Sequence, residues 1–581
     1  MKITFALTLV ALGQIAAGLD SQIRLDYATF QGKDDLITDT TSFLGMPFGK
    51  ANRLENPRLI RSGDLPSDVQ DATQYGFACP QQNLASSPLY KENSKLGQLV
   101  GFITAFLPAI THQAEDCLSI NVQVPKGVKN TDKLPVLMWI HGGGFELGSS
   151  ASLGSEATAI QGLIYQGANL VQRSIDMKQP VIFVSANYRL NFFGTLASKE
   201  ITKAGVANLF LKDQDVAFAW VQKYVSRFGG DPNKVTVFGE SAGAMSTTTH
   251  MVLNNGDVSG KFNAAWIFSG PVPKVLDYTH AQPVFDRLMD RIGCGSASDK
   301  LACAKAASYE SIYAAVQGET SFLSYTATLV PWYPRPDGKY LVDDPAKLTA
   351  AGKVAKIPFV MGNMVDEGTL FSLITALNVT SNADIVDYFK TIYWQNTPVS
   401  LIEELVGLYS DDPADGSPYD TGINNQFGPK YKKIASMIGD YTFTAGRRTL
   451  LNVTSHRQNT WSYQIKQSLP LLGQIGLLNP LQLNNIPILG SFHISDVVLN
   501  AFGTIPAALS KNTLNIMSML VQFANTMDPN IPNSGNPVWP KYNPESPTQF
   551  QFREDGNRLI GDSYRKTQMD FIEKNAAQLR A

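Results

Sequence analysis

A serine between glycines is the first residue whose surroundings point to chemistry. Gly239-Glu240-Ser241-Ala242-Gly243 follows the apolar run Val235–Phe238 and precedes residues that can open a helix. A strand–turn–helix of this composition holds a serine on a strained turn with its hydroxyl exposed. The small residues are needed because neighbouring backbone comes close at such a turn. The motif predicts Ser241 as a nucleophile.

A glycine-rich loop supplies the second element of the predicted site. His141-Gly142-Gly143-Gly144-Phe145 comes directly after the apolar run Val136–Ile140. Consecutive glycines let backbone N–H groups turn toward a developing oxyanion. We expect the donors to be Gly143, Gly144 and Ala242, the residue after the nucleophile. Such a loop could also cradle a phosphate, but neither dinucleotide-binding nor P-loop spacing occurs, which disfavours nucleotide binding.

A serine nucleophile needs a base, and the base needs a carboxylate that orients it. The chain order serine, acid, histidine leaves His456 and His493 as bases, and the loop-like surroundings favour His493. The acid follows the apolar run Ile357–Met361, where spacing alone does not decide between Asp366 and Glu367. Metal-ligand spacings such as H-E-x-x-H and C-x-x-C are absent from the sequence, so we predict neither a metal nor a cofactor.

The elements that position these motifs alternate along the chain. Short apolar runs bounded by turn residues predict buried strands, and helical stretches such as Leu211–Arg227 lie between them. This alternation predicts an α/β fold with a large, mostly parallel central sheet flanked by helices. The predicted strands are Val136–Ile140, Val181–Ser185, Val235–Phe238, Ala264–Phe268, Ile357–Met361 and Trp461–Ile465.

Composition excludes several classes of protein. The 581 residues are 44% hydrophobic and 17% charged, with 48 basic and 50 acidic side chains, so the net charge is −2. This composition can bury a large core, which excludes a disordered or collagen-like chain. The balanced charge argues against a nucleic-acid partner, because phosphate contacts need clustered lysine and arginine.

The N-terminus predicts export. Met1-Lys2 and the apolar stretch Ile3–Ala17 indicate a signal peptide over residues 1–18, followed by one domain over 19–581. An uncleaved anchor is the alternative, but the stretch is short for a membrane span, so we expect no stable membrane anchor. Asn378 and Asn452 begin N-x-T sequons and are candidate glycosylation sites of a secreted, extracellular protein.

Four cysteines follow in the mature chain. An even number in an exported protein favours two disulfides, and pairing by nearness gives Cys79–Cys117 and Cys294–Cys303. The sequence alone allows three connectivities.

Together these motifs resemble the type-B carboxylesterase/lipase family, which includes the cholinesterases and the Candida rugosa and Geotrichum lipases. The resemblance covers about residue 20 to the end, with the motifs in family order. The matching stretches are Glu115–Val122, His141–Phe145, Phe228–Pro232, Gly239–Gly243, Asp366–Thr369 and Gly490–Asp496.

The resemblance implies an α/β-hydrolase fold with a lid insertion and assigns the open positions. It makes Glu367 the triad acid and His493 the base, with Asp366 a structural neighbour. It also implies that His141 supports the oxyanion loop. Arg189–Asp213 and Arg53–Glu115 match buried salt bridges of the family, which we interpret as scaffold.

In this interpretation, the class of ester that the protein hydrolyses depends on the flap loop 79–117. Its start, Cys79–Asn83, is similar to the flap opening of the Candida rugosa-type lipases. Later apolar residues at helical spacing predict an amphipathic lid that opens onto a lipid surface. The alternative is a face packed permanently into the core. The apolar positions are Leu96, Leu99, Val100, Ile103 and Leu107.

These observations predict a secreted serine ester hydrolase that cleaves acylglycerols or sterol esters through an acyl-enzyme on Ser241, with a lipid–water interface as a partner. A carboxylesterase for small or phenolic soluble esters is the alternative with the same chemistry. A non-catalytic adhesion module resembling the neuroligins is the alternative of another class. Such modules lose the nucleophile, whereas Ser241, Glu367 and His493 are all present here.

Overall fold

The computed structural model describes residues 21–83, 112–151, 167–467, 489–497, 501–503 and 511–580. Within these ranges the strands are Gln22–Arg24 (β1), Thr29–Gln31 (β2), Lys33–Asp34 (β3), Thr40–Pro47 (β4), Gly49–Lys50 (β5), Arg58–Leu59 (β6), Gln70–Asp71 (β7), Ser119–Pro125 (β8), Leu134–Ile140 (β9), Ile182–Ala186 (β10), Gly230–Glu240 (β11), Ala264–Phe268 (β12), Phe359–Met364 (β13), Thr460–Lys466 (β14), Thr548–Arg553 (β15) and Arg558–Gly561 (β16).

The α-helices in the same ranges flank these strands. They are Gly167–Asp176 (α1), Asn191–Gly194 (α2), Lys199–Ala204 (α3), Leu209–Tyr224 (α4), Ala242–His250 (α5), Gln282–Arg291 (α6), Lys300–Ala306 (α7), Tyr309–Gln317 (α8), Pro345–Ala350 (α9), Asn382–Tyr388 (α10), Val399–Gly407 (α11), Tyr431–Gly439 (α12), Ala445–Thr454 (α13), Lys511–Thr526 (α14) and Lys566–Lys574 (α15). The π-helical turn Asp440–Thr444 joins α12 to α13.

One large mixed sheet organises the described residues. Its eleven strands run in the order β16-β15-β14-β13-β12-β11-β9-β10-β8-β4-β3. The seven strands from β15 to β10 are parallel, whereas β16 and the three strands at the other edge pair antiparallel. The predicted α/β fold with a mostly parallel sheet is therefore confirmed.

Strand β9 shows why the centre of the sheet is a continuous apolar run. Val136, Met138 and Ile140 pack into one core cluster, and Leu137 and Trp139 pack into a second cluster. Because successive side chains point to opposite faces, a strand covered on both sides needs apolar residues at every position.

Several element boundaries differ from those predicted. Ala264–Phe268 is correct, but β13 starts at Phe359, two residues late, because Pro358 has no N–H to donate to a neighbouring strand. Strand β11 begins earlier than the predicted Val235: Gly230 pairs with Leu134, with an irregular register between Gly230 and Val235. The predicted helix Leu211–Arg227 ends earlier, at Tyr224, and continues as a single 3₁₀ turn.

Both predicted disulfides are present, Cys79–Cys117 and Cys294–Cys303. Asn378 and Asn452 are exposed, and their glycosylation stays a prediction. The predicted salt bridges also form: Arg189 Nη2 lies 2.7 Å from Asp213 Oδ1, and Arg53 Nε lies 2.8 Å from Glu115 Oε2. Only the Arg189 pair is fully buried.

Some predictions lie outside the described residues. These are the signal peptide 1–18 and the five apolar lid positions, which fall within the undescribed range 84–111. Among the described residues, no helix combines the length and apolar character needed to cross a bilayer.

Candidate active site

Ser241 lies on a sharp turn between β11 and α5. Its backbone torsions are φ 54° and ψ −122°, outside the regions that a non-glycine residue normally occupies. Strain of this kind persists only where the surroundings enforce it, and it clusters at active sites. Ser241 N donates to Phe268 O of β12 at 3.0 Å, which ties the turn to the sheet.

Two glycines let the backbone close around Ser241. A Cβ on Gly243 would lie 2.0 Å from Ile140 O, and one on Gly142 would lie 2.6 Å from Glu240 Oε2. Both distances are shorter than atoms can approach, so only glycine fits at either position. The serine turn and the glycine-rich loop are therefore in direct contact, as the sequence predicted.

The glycine loop leaves its candidate donors unused. Gly143 and Gly144 have φ values of 106° and 64°, which glycine adopts without strain. The N–H groups of Gly143, Gly144 and Ala242 donate no hydrogen bond to any described residue. Free N–H groups beside a nucleophile can stabilise the oxyanion of a tetrahedral intermediate.

His141 holds the glycine loop in place. Its ring stacks on Tyr188 with a centroid separation of 4.2 Å, and the Tyr188 hydroxyl donates to His141 O at 2.6 Å. Burial lowers the pKa of His141 to about 4, so the ring is neutral near pH 7. These contacts fit a supporting role.

Glu367 and His493 meet at the carboxyl end of β13. His493 Nδ1 lies 2.6 Å from Glu367 Oε2. Glu367 Oε1 accepts hydrogen bonds from Ser269 Oγ at 2.6 Å and Met364 N at 2.7 Å. The ring of His493 packs against Phe443, with centroids 4.6 Å apart. The carboxylate is thus fixed on one side and orients the imidazole on the other, whereas the alternative base His456 is exposed.

Asp366 faces away from the imidazole and joins two loops. Its Oδ1 accepts from Ser417 Oγ and Tyr419 N, each at 2.9 Å, and its Oδ2 accepts from Ser491 N at 2.9 Å. Its own backbone forms an isolated bridge with Phe492. Burial raises the pKa of Asp366 to about 6, against the opposing effect of these N–H donors. Asp366 therefore positions the loop that carries His493.

Two further carboxyl groups are buried near His493. Glu240 Oε1 lies 3.1 Å from His493 Nε2 in an orientation that makes no hydrogen bond. Neither Glu240 oxygen nor Asp496 Oδ2 has a hydrogen-bond partner among the described residues. Burial and the charge of Glu367 raise the pKa of Glu240 well above its usual range. Burial and the charges of Glu240 and Glu367 do the same to Asp496.

Comparison with known proteins agrees with this geometry. The model of the carboxylesterase family matches residues 20–572. The chain belongs to the carboxylesterase family. It is accordingly a carboxylic ester hydrolase, and the resemblance stated from the motifs is confirmed.

The relatives of this carboxylesterase-family chain include several fungal lipases. Lipase 5 of Diutina rugosa is 37% identical over 93% of this chain and 92% of its own length. A secreted triacylglycerol lipase of Gibberella zeae is 34% identical over 93% of this chain and 88% of its own length. Among solved structures, EstA of Aspergillus niger superposes with a TM-score of 0.76 at 24% identity, covering 97% of this chain and 99% of EstA, which supports the fold.

Two features of the site were missed in the sequence. Ser269 directly follows β12, so a polar residue at the carboxyl end of a parallel strand was the available signal. Asp496 lies three residues after His493, and nothing in its spacing revealed burial without a partner. Groups of His, Cys, Asp or Glu suited to a metal ion do not occur in the part of the chain that the structure describes.

Proposed function

We propose that this protein is a secreted lipase that hydrolyses acylglycerols through an acyl-enzyme on Ser241. The observation that carries the proposal is the 2.6 Å contact between His493 and Glu367, together with the strained Ser241 turn packed against free N–H groups. The names of the fungal relatives, which include a secreted triacylglycerol lipase, support this substrate class. We further propose that residues 1–18 are removed on export.

In the proposed mechanism, Ser241 Oγ attacks the ester carbonyl as His493 Nε2 takes its proton. Glu367 keeps the proton of His493 on Nδ1 and stabilises the imidazolium that forms. The N–H groups of Gly143, Gly144 and Ala242 bind the negative oxygen of the tetrahedral intermediate. His493 then protonates the leaving alcohol, and a water molecule activated by the same nitrogen releases the acid.

Rates measured across the solubility limit test the substrate class. Triacylglycerols of increasing acyl length are assayed by titrating the released acid, below and above the concentration at which droplets form. A lipase should accelerate on long-chain substrate once droplets are present, because an interface offers apolar surface that binds a lid. A rate that saturates smoothly through this limit, with highest kcat/KM on short soluble esters, would instead support the soluble-ester alternative.

A further inference from the structure

The side chain of Gln81, at the start of the flap loop 79–117, binds the segment that follows the glycine-rich loop. Gly148 N donates to Gln81 Oε1 at 2.6 Å, and Gln81 Nε2 donates to Gly148 O at 3.0 Å. The carboxamide thus pairs with both backbone groups of one residue, as the backbone of an antiparallel strand does. Gln81 is 3% exposed, so these hydrogen bonds are shielded from water.

Gln81 is itself held in place by its neighbours. Its backbone N donates to Gln113 Oε1 at 2.8 Å, near the other end of the flap, and its backbone O accepts from Gln317 Nε2 at 3.0 Å. Its Nε2 also donates to Cys79 O, and Cys79 is bonded to Cys117. Because each polar group of Gln81 has a partner, the carboxamide that binds Gly148 is rigidly placed.

Gly148 lies directly against the glycine-rich loop. A Cβ on Gly148 would lie 2.3 Å from His141 Nδ1 and 2.5 Å from Gly142 O, closer than atoms can approach. One residue earlier, Leu147 N donates to Gly143 O at 3.1 Å, and a Cβ on Gly143 would lie 2.2 Å from Leu147 O. The segment that Gln81 binds is therefore packed against the peptides that carry the proposed oxyanion donors.

The glycine-rich loop needs such support from outside. Three consecutive glycines, 142–144, have more conformational freedom than any other residues, so the loop has little stiffness of its own. An oxyanion site works only when its donors already point to the place where the charge develops. The contacts with Gly148 supply that rigidity from one side, and the Phe322 ring, which would lie 2.7 Å from a Cβ on Gly144, supplies it from another.

We propose that Gln81 is a positioning residue for the oxyanion site: it fixes Gly148, and through Gly148 it holds the N–H groups of Gly143 and Gly144 where the negative oxygen forms. The start of the flap is then part of what shapes the transition-state site, in addition to anchoring the flap. This inference rests on the proposed function of Ser241 and identifies a residue on which the geometry of its oxyanion donors depends.

A matched pair of inhibitors tests the proposal. Ser241 Oγ adds to the carbonyl carbon of an octyl trifluoromethyl ketone, and the carbonyl electron pair moves to the oxygen, which becomes the anion that the N–H groups bind. The corresponding trifluoromethyl alcohol has no carbonyl and binds without this adduct. The measured quantity is the inhibition constant of the alcohol divided by that of the ketone, which does not depend on the folded fraction. Gln81→Met should lower this ratio about 10- to 100-fold, because the donors are displaced.

The neighbouring glutamine provides a matched control. Gln82 is also buried, but its Oε1 accepts from Trp332 Nε1 at 2.7 Å and its Nε2 donates to Glu319 O at 2.9 Å, and neither partner belongs to the glycine-rich loop. Gln82→Met should therefore lower the melting temperature about as much as Gln81→Met and leave the inhibitor ratio unchanged. Gln81→Asn is a second variant that keeps a carboxamide but is one methylene shorter, so it should also lower the ratio.

Kinetics on a short soluble ester give a second readout. In Gln81→Met, kcat of the folded protein should fall by about the same factor as the inhibitor ratio while KM stays near wild type, because the lost interaction acts in the transition state. An unchanged ratio in both Gln81 variants, or an equal fall in Gln82→Met, would overturn the inference. Wild-type protein that bound the ketone no more tightly than the alcohol would overturn the proposed function of Ser241 itself, and the inference with it.

Discussion

Two buried clusters of charge lie close to each other and are satisfied to very different degrees. Around Asp562 the carboxylate is saturated: its oxygens accept from Arg447 at 2.6 and 2.7 Å, from Arg448 at 3.0 Å and from Tyr542 at 3.1 Å. Around His493, by contrast, the imidazole Nε2, both oxygens of Glu240 and one of Asp496 lack hydrogen-bond partners among the described residues.

This difference in hydrogen bonding distinguishes a cluster that stabilises the fold from one that is proposed to take part in the reaction. A buried polar group without a partner costs stability, so such groups are rare in folded proteins. The Asp562 cluster avoids this cost and ties α13 to the end of β16. The His493 cluster carries this cost, and its Nε2 stays available for the proton transfer of the proposed mechanism. Each variant below changes one of these two clusters.

The largest expected effect is on activity alone. Ser241→Ala should reduce kcat by on the order of 10⁴- to 10⁶-fold, because triad members act as a unit. The melting temperature should not fall, since alanine keeps the backbone hydrogen bond from residue 241 N to Phe268 O. An organophosphate inhibitor followed by peptide mapping checks the assignment independently. Inactivation with a label on another residue would contradict it.

The next largest effect is expected at Asp562, whose carboxylate accepts four hydrogen bonds from side chains. Asp562→Asn should lower the free energy of unfolding by about 3–5 kcal/mol near pH 7, because it leaves buried guanidinium charge uncompensated. Urea denaturation measures this change, with kcat/KM of the folded fraction expected to stay near wild type.

The penalty of Asp562→Asn should also depend on pH. Burial acts to raise the pKa of Asp562, but Arg447 and Arg448 outweigh it and hold the pKa below the usual 3.8. The stability from this group is therefore present above pH 3.8 and is lost as the pH falls through the lower pKa of the folded state. A difference between variant and wild type that grows in acid would refute this account.

Ser269→Ala should have a smaller effect, on both stability and activity. Ser269→Ala removes the 2.6 Å hydrogen bond to Glu367 and should cost about 1–3 kcal/mol of stability. Because Glu367 orients His493, kcat should fall while KM stays nearly constant. Ser259→Ala, at an exposed serine, is the control for the substitution itself. Loss of stability with unchanged kcat would assign Ser269 to the scaffold.

The smallest expected effect is at Glu240, whose contribution to stability changes with pH in the direction opposite to that of Asp562. The pKa of Glu240 is raised above the usual 4.5, so the stability it contributes is present below pH 4.5 and is lost as the pH rises through its folded-state pKa. Glu240→Gln carries no charge to titrate and should gain in melting temperature relative to wild type as the pH rises. Glu404→Gln, at an exposed position on α11, should show no such trend. If the melting temperatures of Glu240→Gln and wild type changed with pH in parallel, the titration of Glu240 would not contribute to stability.

The sequence predicted those features that depend on local pattern. The strand β12, the Ser241 turn and the glycine loop each follow from residue type over a few positions, and the structure has all three. Short strands such as β5 and β6, which form a separate two-stranded sheet, were not predicted, because each is only two residues long. Local periodicity cannot reveal a pair that long-range contacts select.

Side-chain environments were the least predictable part of the site. Spacing left Asp366 and Glu367 equivalent, and they differ only in the direction in which the fold turns each carboxylate. The burial of Asp496 and of Lys274 Nζ depends on elements that lie far away in sequence. The resemblance assigned Glu367 but contained nothing about the burial of Asp496.

The bridge between Asp366 and Phe492 has a consequence for how the protein is made. It joins backbone segments 126 residues apart, since 492 − 366 is 126. Loops of this length close late, because chain entropy opposes distant contacts. A nascent chain thus carries its serine turn without the histidine until residue 493 has been added. Until then, the growing polypeptide lacks the base that the proposed mechanism requires.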